Sequence, residues 1–379
     1  MRLLSFSTGQ PHPLAEQPVI FIDRKVLPLD RWCTKIEIVG DILTLLITFS
    51  DQSRNQDVLS LVFWKTGLVH CVSVLGLLKI RLSSLMLYYV QLKSPEKETY
   101  HDFVQLSQDT LVIPNLMQNT FEIAKVVIDN DDTPRFVLLC VLHLPPITQN
   151  ISLFEFYCRV EPNPTGSGRL SIPSRTDRSF HNKAEDAIVI FNLAYSHVLG
   201  RTDWLTLIVH RRALLKHIPA AHRACAPFCP TPEPAPVLVE VPWSVWGPPA
   251  TRLFMGNPTP MHYTETTAGQ REVMLENRMP TPIIVRDFNP YAVHAARPLG
   301  SASGKTQQGN WSKQLPNGNR MSLRVEDSVI TAGSIFEEDV WSSLPYVEIV
   351  TRDEYQYDGV MIDNERILGF RVRSESLCH

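Results

Sequence analysis

The segment HIPAAHRACAPFC places His217, His222, Cys225 and Cys229 within thirteen residues. Imidazole nitrogen and thiolate sulfur are the ligands of tetrahedral zinc, and two cysteines with three residues between them can close on one ion. The spacing is crowded, with no second knuckle to wrap the metal. The competing reading is an exposed helix end running into a proline-rich loop, so no metal ligand is assigned.

GSASGKT, residues 300–306, has the composition of a phosphate-binding loop but only three residues between its glycines. Four are needed for successive backbone N–H groups to cradle a phosphate, and QQGNWSKQLPNGN follows where a helix should begin. A loop is expected. Glu337, Glu338 and Asp339 in FEEDVW have the chemistry of general acids and bases, yet acidic clusters of this kind are usually solvated turns. No serine sits in a Gly-x-Ser-x-Gly elbow, so no catalytic residue and no cofactor are assigned. Trp243, Trp246, Phe288, Tyr291 and Tyr346 offer either a recognition surface or packing between sheets.

The elements that must carry these residues read as strands. Short runs rich in β-branched residues, among them KIEIV, ILTLLITF, VLSLVFW, TLVIP, FEIAKVVI, RFVLLCVLHL, LFEFYCRV, AIVIFNLAY, WLTLIVH, TRLFM, REVML, PIIVRDF, YAVHA, MSLRV, YVEIV and GVMID, alternate with turn signals. About twenty such strands at this spacing suggest an all-β sandwich, barrel or propeller, and are too many for one ordinary sandwich. RRALLKHI is the clearest short helix. Eleven of the 29 prolines fall between Pro219 and Pro260, which marks an extended connection. An aspartate precedes a strand at Asp41, Asp109, Asp186 and Asp327, at no strict period.

Composition narrows the function classes. A net charge of −3 argues against a broad nucleic-acid footprint, leaving only a local patch such as Arg211 and Arg212. Seven scattered cysteines, mostly inside apolar runs, fit reduced thiols better than a disulfide framework, so an intracellular setting, cytoplasmic or nuclear, is expected. The apolar stretch 72–92 carries Lys79 and Arg81 near its middle, which argues against a membrane span.

The ordered segments LSQDTLVIPN, LCVLHLPPI, FHNKAEDAIVIFNLAY, LTLIVHRRALL, VPWSVWGPPATRLF, IIVRDFNPYAVHAAR and SIFEEDVWSSLPYVEIVTRDEYQYDGVMIDNERILGF resemble the C-terminal region of F-box proteins from mushroom-forming fungi. The resemblance implies an F-box that docks onto the adaptor of a cullin-based ubiquitin ligase, followed by a propeller-like β domain that captures the substrate. The expected architecture is therefore all-β and propeller-like, with about five to seven blades. Residues 1–18 read as a tail and 19–375 as the β domain, with the proline-rich connection around 219–260.

The F-box itself is not found. Residues 41–65 imitate one, closing on Trp64, but ILTLLITF lacks a polar helical face and Gly67 sits where a hairpin loop needs a left-handed residue. DVLSLVFWKTGLVHC is therefore read as two strands of a blade, with Val58, Val62 and Trp64 on one face and Leu59, Leu61 and Phe63 on the other. The expected function is a non-enzymatic protein-interaction domain that binds a protein partner or ligase substrate. The alternative is a propeller-type hydrolase or lectin with a polar central pocket.

Overall fold

The computed structural model describes residues 102–128, 134–162, 183–224, 238–256, 266–297 and 310–371 almost continuously, together with strands between 32 and 91. The chain divides into two compact units. One comprises residues 1–143, 163–174 and 216–241, the other 144–162, 175–215 and 242–379.

In the first unit β1 (Trp32–Val39), β2 (Ile42–Phe49), β3 (Val58–Phe63) and β4 (Leu68–Val72) form an antiparallel meander, with β7 (Val90–Gln91) also on β3. β5 (Ile80–Leu82) and β6 (Leu85–Leu87) make a separate ribbon. The hairpin reading of residues 57–71 holds in the backbone: Phe63 opposes Leu68, Val62 opposes Val69, and Ile42 of β2 opposes Phe63. Within the F-box-like segment Ile42–Phe49 and Val58–Phe63 are thus two paired strands; Trp64 and Gly67 lie outside the described residues.

A second sheet in this unit contains β8 (Val104–Gln105), β9 (Thr110–Asn115), β10 (Thr120–Ile128), β11 (Pro134–His143) and β15 (Val239–Val241), with β15 parallel to β11. Every residue of β9 is buried, as the uninterrupted apolar text TLVIP requires of a strand covered on both faces. Its turn into β10 relies on asparagine: Asn119 takes a φ of 52°, and Asn115 Oδ1 accepts the Gln118 N–H at 3.0 Å. Two charge groups sit in this unit, the second of them nearly fully buried. Lys35 lies 2.6 Å from Asp102 and 3.4 Å from Glu37, while Lys125 lies 3.2 Å from Asp109 and donates to the carbonyl of His222 in α2 (Ala220–Ala224) at 3.0 Å. Burial pushes the Glu37 carboxyl above its ordinary range against the pull of Lys35.

The second unit is built on two sheets. β12 (Ile151–Val160), β13 (Ile188–His197), β14 (Thr202–His210) and β16 (Thr251–Met255) form a four-stranded antiparallel sheet in that order. The other sheet runs β17 (Thr267–Ala268), β18 (Arg271–Leu275), β19 (Thr281–Asp287), β24 (Tyr346–Tyr355), β21 (Arg320–Arg324), β20 (Trp311–Gln314). Alternation sends Phe156 and Phe191 to one face of the first sheet, with rings 5.6 Å apart. Ile190 and Ile208 go to the opposite face, where they pack with Phe288, Leu344 and Tyr346 of the second sheet and its flanks. The far face of the second sheet buries Val273, Leu275 and Ile283 against Val360 and Ile362 of the ribbon β25 (Gly359–Ile362) and β26 (Ile367–Phe370). β22 (Ser328–Ile330) and β23 (Val340–Ser342) form a further ribbon.

The described residues are mostly strand, in several antiparallel sheets, and no closed barrel or propeller is detected among them. α1 (Arg211–Leu215) is the helix expected at RRALL, with Leu214 fully buried. Two further helices replace expected loop or strand. YAVHA is not a strand: it forms α4 (Pro290–Ala296), because Asn289 caps it by accepting the Tyr291 N–H at 2.8 Å and Pro290 opens its first turn. VPWSVWGPP carries α3 (Trp243–Ala250), where a Cβ on Gly247 would overlap the Trp243 ring. Asn289→Ala should cost about 1 kcal/mol, the usual worth of such a cap. A fall in unfolding free energy of that size, read from the urea midpoint and slope, checks it, and an unchanged midpoint refutes it.

Candidate functional site

In the second unit a cleft of about 120 Å³ between its two sheets gathers polar side chains from both. The four-stranded sheet supplies a row set by register: Tyr157 opposes Asn192, Asn192 opposes Thr206, and Thr206 opposes Phe254. All four therefore share one face, as does Arg159 two residues beyond Tyr157. Thr206 Oγ1 donates to Asn192 Oδ1 at 2.9 Å. The Tyr157 hydroxyl donates to Glu155, and its ring stacks on Trp204 at 6.3 Å. At the mouth, Gly256 takes a φ of 135°, a conformation that favours glycine, beside the half-exposed Met255.

The second sheet answers with a row of charges. Glu272 opposes Arg286 and Arg286 opposes Glu348, so one guanidinium stands between two carboxylates. Arg286 Nη1 is 3.3 Å from Glu272, Nε is 3.5 Å from Glu348, and the guanidinium lies 3.8 Å from the centre of the Phe254 ring. The three side chains are only 9–13% exposed. Burial pushes the Glu272 carboxyl up from its ordinary range; Arg286 pulls it back, and Glu348 adds to the rise. Burial likewise raises the Tyr346 phenol beside Arg286.

The residues singled out from sequence mostly lie elsewhere. His217 and His222 are described, and burial lowers the pKa of both, but Cys225 and Cys229 lie outside the described residues. Among the described residues, no group of three or more His, Cys, Asp or Glu converges on a possible ion site. Residues 300–306 also lie outside. Glu337, Glu338 and Asp339 are exposed, and Asp339 accepts the Ala332 N–H across the turn. Trp243, Trp246, Phe288 and Tyr346 are buried, with the two indoles edge to face at 5.1 Å, whereas Tyr291 is 85% exposed. Arg211 and Arg212 form no basic patch: Arg211 is fully buried on the carbonyls of Ala184 and Pro162, and Arg212 pairs with Asp186 at 3.0 Å. No described helix is long and apolar enough to cross a membrane.

Sequence reasoning passed over Glu272 and Arg286. The available signal was a charge in the buried phase of an alternating strand, REVML and IIVRDF, at equal distances from the intervening turn. Comparisons with protein-family models, with curated proteins and with solved structures return no match.

Proposed function

We propose that the chain is a non-enzymatic recognition module that holds a protein partner, with the cleft between the two sheets of its second unit receiving one side chain of that partner. The observation that carries the reading is the size and lining of the cleft. At about 120 Å³ it is small beside the 300–1,000 Å³ of pockets that take whole small molecules. It suits the tip of a polar side chain, met by Asn192, Thr206, Glu272 and Arg286. The cleft carboxylate is already engaged by Arg286, an arrangement for holding and orienting more than for proton transfer.

The resemblance to the C-terminal region of fungal F-box proteins supplies the biological form of this proposal. In it the chain is the substrate-recognition part of an F-box-type ubiquitin ligase receptor, its sheets acting as blades of a propeller-like region. Adaptor binding is not expected of the strands at residues 42–63.

Displayed random peptides selected on the purified chain test the proposal. Selected peptides should lose at least about tenfold in affinity, some 1.4 kcal/mol, for Thr206→Gln, which places two more heavy atoms in the cleft. Peptides that bind both proteins equally, while circular dichroism shows the variant folded, would remove the cleft from the proposal.

A further inference from the structure

We propose a second, separate site on the same unit: the recess on strands β20 and β21 binds a tetrahedral oxyanion, a phosphate or phosphate monoester. It is distinct from the cleft, although Glu348 borders both, meeting Arg324 here and Arg286 there. The recess measures about 230 Å³ and is lined by Asn310, Ser312, Arg320, Ser322 and Arg324 beside Trp311.

Register builds it. Ser312 opposes Ser322, and Arg320 and Arg324 lie two residues either side of Ser322, so all four share one sheet face. The two arginine Cα atoms are about 13 Å apart along the strand, a span that two guanidiniums can bridge over a central serine. Arg320 is exposed, and its side chain makes no hydrogen bond or ion pair among the described residues. Ser322, 2% exposed as a residue, opposes Glu348 of β24, and its hydroxyl makes no hydrogen bond among the described residues.

Charge points the same way. Arg324 meets Glu348 at 3.6 Å, too long for a hydrogen bond, and Glu348 is shared with Arg286. On this face Arg286 and Arg324 share Glu348 and Arg286 also pairs with Glu272, so the Arg320 guanidinium is left without a carboxylate among the described residues, while Glu326 lies against Asn310. Asn310 does not contribute, since its amide oxygen accepts the Val325 N–H at 2.9 Å and its nitrogen donates to Glu326 at 2.8 Å. Guanidiniums at both ends and hydroxyls between them match an anion that accepts on several sides better than a planar carboxylate does.

The test is thermal unfolding of the full chain in sodium phosphate, O-phosphoserine, sodium acetate or sodium chloride at equal ionic strength. Phosphate should raise the midpoint above chloride already at low millimolar concentration, where a ligand of the folded state acts and the general salting-out effect of phosphate does not. Arg320→Gln, a change at an exposed residue without partners, should abolish the excess, and Ser322→Ala should reduce it. A shift with phosphoserine as well identifies an esterified source; a shift with phosphate alone identifies the free ion. The proposal is overturned if phosphate matches chloride, if acetate does as well as phosphate, or if the excess survives Arg320→Gln.

Discussion

A chain carrying Lys125→Met should lose about 3–5 kcal/mol of stability in the unit that contains β10, seen as a lower urea midpoint. Lys125 is one of the most enclosed cations described, its side chain 5% exposed and that of its partner Asp109 8%. Methionine keeps the length and most of the apolar stem, so the change isolates charge from packing. What it leaves behind is Asp109, still accepting from Ser107 Oγ at 2.9 Å and Thr110 Oγ1 at 3.0 Å but deprived of its cation. The His222 carbonyl loses its donor too, and with it α2 loses a tie to β10. Adding Asp109→Asn should recover most of the loss, because asparagine can accept the same two hydroxyls without a charge to compensate. A single-variant loss below about 1 kcal/mol, or a double variant no better than the single, would show that the pair does not hold this unit together.

That ion pair was within reach of the sequence only in part. Asp109 was noted as an aspartate ahead of a strand, and its turn role is real. Nothing local shows that Lys125, sixteen residues on, points inward beside it, because FEIAKVVI reads equally well with lysine on a wet face. Strands themselves were legible: ILTLLITF, TRLFM and REVML coincide with β2, β16 and β18, since runs of branched apolar residues between turns have few other uses. Short helices were not. YAVHA has strand-like composition, and its fate was decided by the capping Asn289 and by Pro290 just before it. How sheets associate was less legible still, because a strand covered on both faces looks the same in a stack as in a ring of blades. The cleft was hidden for a related reason: Tyr157, Asn192, Thr206, Phe254, Glu272 and Arg286 come from six strands, and only register aligns them.

Arg286→Met should likewise cost about 3–5 kcal/mol, by stranding Glu272 and Glu348 in a nearly dry position. The loss should depend on pH, with a sign that follows from Glu272. Its folded carboxyl titrates above the ordinary value of 4.5, so as pH rises from there the folded state holds a proton that the unfolded state has released. The Glu272 contribution to stability therefore falls across that window, and falls further once Arg286 no longer offsets the ionised form. Glu272→Gln should flatten the slope, leaving the contributions of Asp287 and Glu37, which burial also raises, and the opposite ones of His210, His217 and His222, which burial lowers. Urea midpoints measured from about pH 4.5 to neutrality distinguish these cases, and an Arg286→Met loss that is constant with pH would remove Glu272 from the account. The larger consequence concerns why the row exists. A buried triad of charges can often be replaced by apolar residues at little cost, so Glu272→Met, Arg286→Met and Glu348→Met together should restore stability to within about 1–2 kcal/mol of the parent. If the cleft is the recognition site, that restored protein should fold normally and yet fail to retain the selected peptides. Retention by the triple variant would make the row a structural inheritance, and recognition would have to be sought on another face of the sheets.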